Sequence, residues 1–117
     1  MTVDVARPGF STTVEALRLR RWRLGPGQPA LVTDQFGAEE FNLIVDDRTD
    51  VHIGSKDGRF YLGWFPTGRS GTDGEGWRLS VTGTATVPGY HVSFDIETPA
   101  EIVAATVARV LATSRPV

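Results

Sequence analysis

The chain has 117 residues, 40% of them hydrophobic and 22% charged, and a formal net charge of −2. Those values suit one globular domain that can bury a core without disulfides or metals. The lack of cysteine excludes disulfides, thiolate metal sites and cysteine nucleophiles, and no apolar run reaches the ~18 residues of a membrane span. Met1 to Pro8 is polar and carries Asp4 and Arg7, unlike a secretory leader, so a soluble, cytoplasmic protein is expected.

Charge is unevenly placed in the first fifty residues. Arg7 to Arg23 holds five arginines (7, 18, 20, 21 and 23) against Glu15, whereas Asp34 to Asp50 holds six acids against Arg48. Either the two segments neutralise each other, or the arginines form a patch for an acidic partner or nucleic acid. Elements are hard to assign here. Ser11 to Glu15 could cap a short helix, and Leu17, Leu19, Trp22 and Leu24 fit a bulged strand equally well. Gly25-Pro26-Gly27 breaks the chain, and Ala30 to Thr33 reads as a short strand. In Glu39 to Val45, Phe41, Ile44 and Val45 fit a helix, whereas Phe41, Leu43 and Val45 fit a strand.

Val51 to Phe65 reads as a hairpin around Ser55-Lys56-Asp57-Gly58-Arg59, where Asp-Gly suits a tight turn with Gly58 left-handed. A bulged register sets Ile53 beside Tyr61 and Val51 beside Gly63. The bare turn instead pairs Lys56 with Arg59 and Gly54 with Tyr61, and exchanges the faces. In either register Arg59 to Phe65 is apolar on both sides. Thr67 to Gly76 is a glycine-rich loop.

Trp77 to Val87 and Tyr90 to Ile96 alternate apolar with polar residues, and Pro88-Gly89 lies between them. Pairing Val87 with Tyr90 would set Gly83 opposite Phe94 and Ala85 opposite Val92. Pro-Gly suits two-residue hairpin turns poorly, so a slightly longer loop fits better. A helix follows, with Thr98 as N-cap, Pro99 at its first position and Glu101 closing a capping box. Ile102, Val103, Thr106, Val107, Val110 and Leu111 make its apolar face. Alanines 104, 105, 108 and 112 make its back, which calls for a second neighbour. Ser114 to Val117 reads as a frayed tail.

The fold class is therefore α+β: an antiparallel sheet of four to six strands with a C-terminal helix packed on it, in one domain. From Val51 to Ala112 the order of the SKDGR turn, the aromatic strand ending in Pro66, the Trp77-led strand, "VSF" and "TPAEI" resembles an actinobacterial family of unknown function, family 317. That resemblance implies the fold and transfers no catalytic residue. Lys56 stands where the family's turn often has proline, and the first half of the chain matches poorly.

No constellation for chemistry stands out. His52 and His91 lie in no nucleophile context and read as surface residues. Asp46, Asp47 and Asp50 lack calcium-loop spacing, and the glycine-rich loop lacks the phosphate-loop pattern. No enzyme, metal or cofactor is expected. What remains is the two-sided strand. Leaving Phe60, Leu62 and Trp64 in water would forgo roughly 1.5–3 kcal/mol each, against a domain stability of about 5–15 kcal/mol. The C-terminal helix can cover one face, and the N-terminal half or a second chain must cover the other. The leading expectation is a non-catalytic, homodimeric assembly module whose interface draws on Phe60, Leu62, Trp64, Phe65, Ala105, Ala108, Arg109 and Ala112. The alternative is a single-stranded nucleic-acid binder using Arg18, Arg20, Arg21, Trp22 and Arg23, with Phe60 or Tyr61 as stacking platforms.

Overall fold

The computed structural model describes residues 8–68 and 74–113, with side chains from Val14 onward. In chain order these form α1 (Pro8–Leu19), α2 (Ala30–Thr33), β1 (Phe41–Val45), β2 (Val51–Ser55), β3 (Phe60–Trp64), β4 (Glu75–Val81), β5 (Tyr90–Asp95) and α3 (Ala100–Thr113). The strands form one antiparallel meander in the order β1-β2-β3-β4-β5. The expected α+β class, strand number and C-terminal helix are all present. No described helix is long and apolar enough to cross a membrane. The segment Arg69 to Asp73 of the glycine-rich loop, Arg7 and the tail from Ser114 lie outside the described residues.

Register follows burial. Ile53 pairs with Leu62 and Gly54 with Tyr61, as in the second of the two registers weighed above. This places Leu43, Ile53, Leu62, Leu79 and Val92 in one row across the sheet. Ile53, Leu62 and Leu79 are buried together with Val103 and Val107 of α3 and Val32 of α2. The alternative register would have turned Ile53 to the opposite face, away from this core. Trp64 and Trp77 are paired across β3 and β4, and their rings stack at 5.7 Å, an offset pair typical of neighbouring strands.

Three expectations need correction, and one open alternative is decided. Ala30 to Thr33 is a helical turn, begun by Pro29 and closed by the Asp34 N–H on the Ala30 carbonyl. Proline is pre-set for a helix start and cannot donate to a ladder. Glu39 to Val45 resolves as the edge strand β1. The β4–β5 strands end at Val81 and Tyr90, so Gly83, Ala85 and Val87 are not strand residues. The turn is at Thr84, whose N–H donates to the Val87 carbonyl and whose hydroxyl accepts the Val87 N–H. The inward stripe of α3 is Ala100, Val103, Ala104, Val107, Val110 and Leu111, whereas Ile102 faces out.

The N-terminal residues run α1 into an extended arm. The capping reading of Ser11 to Thr13 concerns side chains outside the described residues. Leu17, Leu19, Trp22 and Leu24 are exposed, so this segment is a helix followed by coil rather than a strand. Among the described residues, two polar contacts tie it to the start of α3. The Ala100 N–H donates to the Pro26 carbonyl at 2.9 Å, and Arg23 pairs with Glu101 at 2.7 Å. Glu101 thus meets an arginine from outside the helix. An exposed pair of this kind contributes ~0–1 kcal/mol.

Candidate functional site

The two faces of β3 are solved differently. On the inner face, Phe60 packs edge-on against Phe41 and tilted against Phe36, and Leu62 lies under α3. On the outer face, Tyr61 and Phe65 close over Gly63. A methyl group added to Gly63 would lie 2.6 Å from Phe65 Cζ and against the Tyr61 hydroxyl. The expectation that the N-terminal half or a second chain covers this face is therefore corrected. The strand covers itself, because the glycine leaves room for two rings to fold across the backbone. Phe60, Leu62 and Phe65 are only 9%, 1% and 6% exposed within a single chain.

His52, opposite Gly63, completes the outer cluster. Its ring stacks near Tyr61 and meets Phe65 edge-on. Its Nδ1 lies 2.7 Å from the Tyr61 hydroxyl and its Nε2 lies 2.8 Å from Asp46 Oδ2. One tautomer satisfies both bonds: the phenol donates to Nδ1, and Nε2–H donates to the carboxylate. Asp46 also accepts the backbone N–H groups of Arg48 and Asp50, and so shapes the β1–β2 turn. The His52 bond, with those backbone donors, holds the Asp46 carboxyl below its ordinary value. Next to it, Asp50 is buried, and its Oδ1 has no hydrogen-bond partner among the described residues. Sequence reasoning set His52 on the surface. Its role depends on a register that two turns satisfied equally, so no local signal could have found it.

The SKDGR turn is a hydrogen-bonded clamp. Ser55 Oγ accepts the Phe60 N–H at 2.9 Å and donates to Asp57, which accepts the Arg59 N–H at 3.1 Å. The Ser55 bond, followed by the Arg59 N–H, lowers the Asp57 pKa. Gly58 takes a φ of +77°, in the left-handed region where a side chain is costly. A model of the family described as SPDY, domain of unknown function (DUF317), matches residues 54–117. The chain belongs to the DUF317 family. The match begins at this clamp and runs through β3, β4, β5 and α3, close to the span expected from the sequence. No curated protein and no solved structure matches this DUF317 chain.

The residues expected to form an interface are divided by the fold. Phe60, Leu62 and Phe65 are interior, and Trp64 is half-buried against Trp77. Ala105, Ala108, Arg109 and Ala112 are exposed along the back of α3, which the chain itself leaves open. A patch that sequence reasoning did not nominate lies on β1. Leu43, Ile44 and Val45 are 53%, 62% and 57% exposed, and β1 is an edge of the sheet.

Of the arginine cluster, Arg18 pairs with Glu15 inside α1, Arg23 pairs with Glu101, and the Arg20 guanidinium lies 5.0 Å over the exposed Trp22 ring. Within the acidic segment Asp50 pairs with Arg48, and Asp46 is hydrogen-bonded to His52 on β2. The basic and acidic segments form no ion pair with each other among the described residues. No group of three or more His, Asp or Glu is placed to hold a metal among those residues.

Proposed function

We propose that this DUF317 domain is a non-catalytic assembly module that associates with a second copy of itself through β1. The single observation that carries this reading is the unguarded edge. Phe41, Asn42, Leu43, Ile44 and Val45 include no charge, proline or glycine, and the strand presents apolar side chains on both faces. Sheet edges left open in this way are templates for another strand, and proteins that remain single blunt them with lysine, proline or a bulge. Antiparallel pairing of β1 with its copy would extend the sheet across a two-fold axis. A structural use of His52 supports the non-catalytic part. Its hydrogen bonds brace the β1–β2 turn, and the groove beside the end of α3 is lined by other residues. The test is a solution mass of the full chain beside Ile44→Lys. The reading expects a dimer that the lysine reduces to single chains with an unchanged circular dichroism spectrum. A single-chain wild type would reject it.

A second reading, single-stranded nucleic-acid binding, has one observation in its favour. Trp22 is exposed and flanked by Arg20, Arg21 and Arg23, as a stacking platform on a basic strip requires. Of the two rings expected beside it, Phe60 is buried and Tyr61 is half-buried and bonded to His52. This reading predicts oligonucleotide affinity that falls steeply with salt, and no binding at low salt would reject it.

A further inference from the structure

A groove of about 630 Å³ opens between the C-terminal end of α3 and the sheet. Its apolar lining is Phe41, Phe60, Val81, Tyr90, Val110 and Leu111, and its charged rim is Glu39, Glu40, Lys56, Asp57 and Arg59. A small-ligand site needs placed polar groups to orient its guest. Here the Ser55 hydroxyl is engaged by Asp57 and Phe60 N–H, and the Thr113 hydroxyl by the Val110 carbonyl. The groove offers apolar area, rim charge and the Tyr90 hydroxyl, a spread of contacts that suits a peptide segment.

The same chain carries a segment of matching chemistry. Between Val14 and Leu24 the arm exposes Leu19 at 82% and Leu24 at 85%, with Leu17 and Trp22 also exposed. Arg20 and Arg21 have no carboxylate partner among the described residues, and neither do Glu39 and Glu40 at the rim. Arg59 at that rim is turned to the Thr82 carbonyl, which leaves the two glutamates to receive cations. The arm joins the body at the start of α3, whereas the groove lies at its end. Those points are separated by the helix, about 20 Å for its 14 residues.

We infer that the groove seats the Val14–Leu24 arm of a second copy, with leucine and tryptophan side chains on its apolar floor and Arg20 and Arg21 against Glu39 and Glu40. This rests on the self-association proposed above and adds a reciprocal exchange of arms to it. Exchange would bury in one step two apolar surfaces that a lone chain leaves exposed, the arm and the groove floor, as in domain-swapped dimers.

The chain has no cysteine, so single introduced thiols report contacts without background. Isotope-labelled Leu19→Cys protein is mixed with unlabelled Thr113→Cys protein, oxidised and analysed by mass spectrometry. The inference expects labelled–unlabelled disulfide dimers as the main product, reduced at least tenfold when Arg20→Glu and Arg21→Glu are added to the Leu19→Cys chain. If the doubly substituted Leu19→Cys/Thr113→Cys chain instead closes on itself at single-chain mass, the arm folds onto its own body and the inference is overturned. A wild-type dimer with no mixed disulfide would overturn the inference and leave self-association standing. A wild type that stays single at every concentration would remove both.

Discussion

Replacing Gly63 with alanine tests the self-covered strand. Strand interiors ordinarily disfavour glycine, so an alanine that fits should gain ~0.5–1 kcal/mol through the lost backbone freedom of the unfolded chain. At Gly63 the added methyl would lie 2.6 Å from one Phe65 ring carbon and 2.8 Å from another, with the Tyr61 hydroxyl closer still. Both rings must move, and Tyr61 is bonded to His52 while Phe65 is buried. Overpacking of this kind costs typically ~1–3 kcal/mol. The net expectation is a loss of about 0.5–2 kcal/mol, on the order of several degrees in Tm for a domain of this size. Gly54, directly opposite Tyr61 on the same face, is the internal control. A methyl there would find only the Phe60 carbonyl oxygen, at 3.9 Å, so Gly54→Ala should leave stability unchanged or raise it by up to ~1 kcal/mol. Urea unfolding of the three proteins provides the comparison. A Gly63→Ala chain as stable as Gly54→Ala would show that the rings do not close over the backbone, and the account of the second face would fail.

Two further outcomes follow from the core and the turn. Leu62→Ala, at the centre of the buried row, should cost about 2–5 kcal/mol in the same assay, far more than a substitution on an open face. Acid should unfold the protein partly through Asp46. Its carboxyl is held below the ordinary 3.8 chiefly by His52, so its contribution is complete above the unfolded value and is lost as pH falls through the lower folded one. Asp46→Asn should therefore flatten the decline in unfolding midpoint below about pH 4, and an unchanged slope would remove the His52–Asp46 bond from the account.

Much of the second half was legible because its chemistry is local. Asp57-Gly58 marks a turn, alternation from Trp77 and again from Tyr90 marks strands, and Pro99 with Glu101 marks a helix start. What was not legible depends on contacts between segments. The hairpin at Ser55 admits two registers one residue apart, and only the packing of Ile53 and Leu62 against Val103 and Val107 selects between them. That selection then places His52 beside Tyr61. Gly63 carries no signal of its own, so the self-closing rings could not be foreseen, and composition alone demands a cover from elsewhere. Phe41 to Val45 has the composition of a buried strand yet lies at an edge, a distinction that composition cannot make. Leu17, Leu19, Trp22 and Leu24 are exposed, so burial imposes no periodicity on them that the sequence could display.

Sedimentation equilibrium of the full chain and of Ile44→Lys, at micromolar concentration, is the most direct test of the central claim. Association through β1 predicts a wild-type mass of twice the 12.7 kDa chain and a variant at the chain mass itself. A wild type that sediments as a single chain, or a variant that still sediments as a dimer, would contradict it.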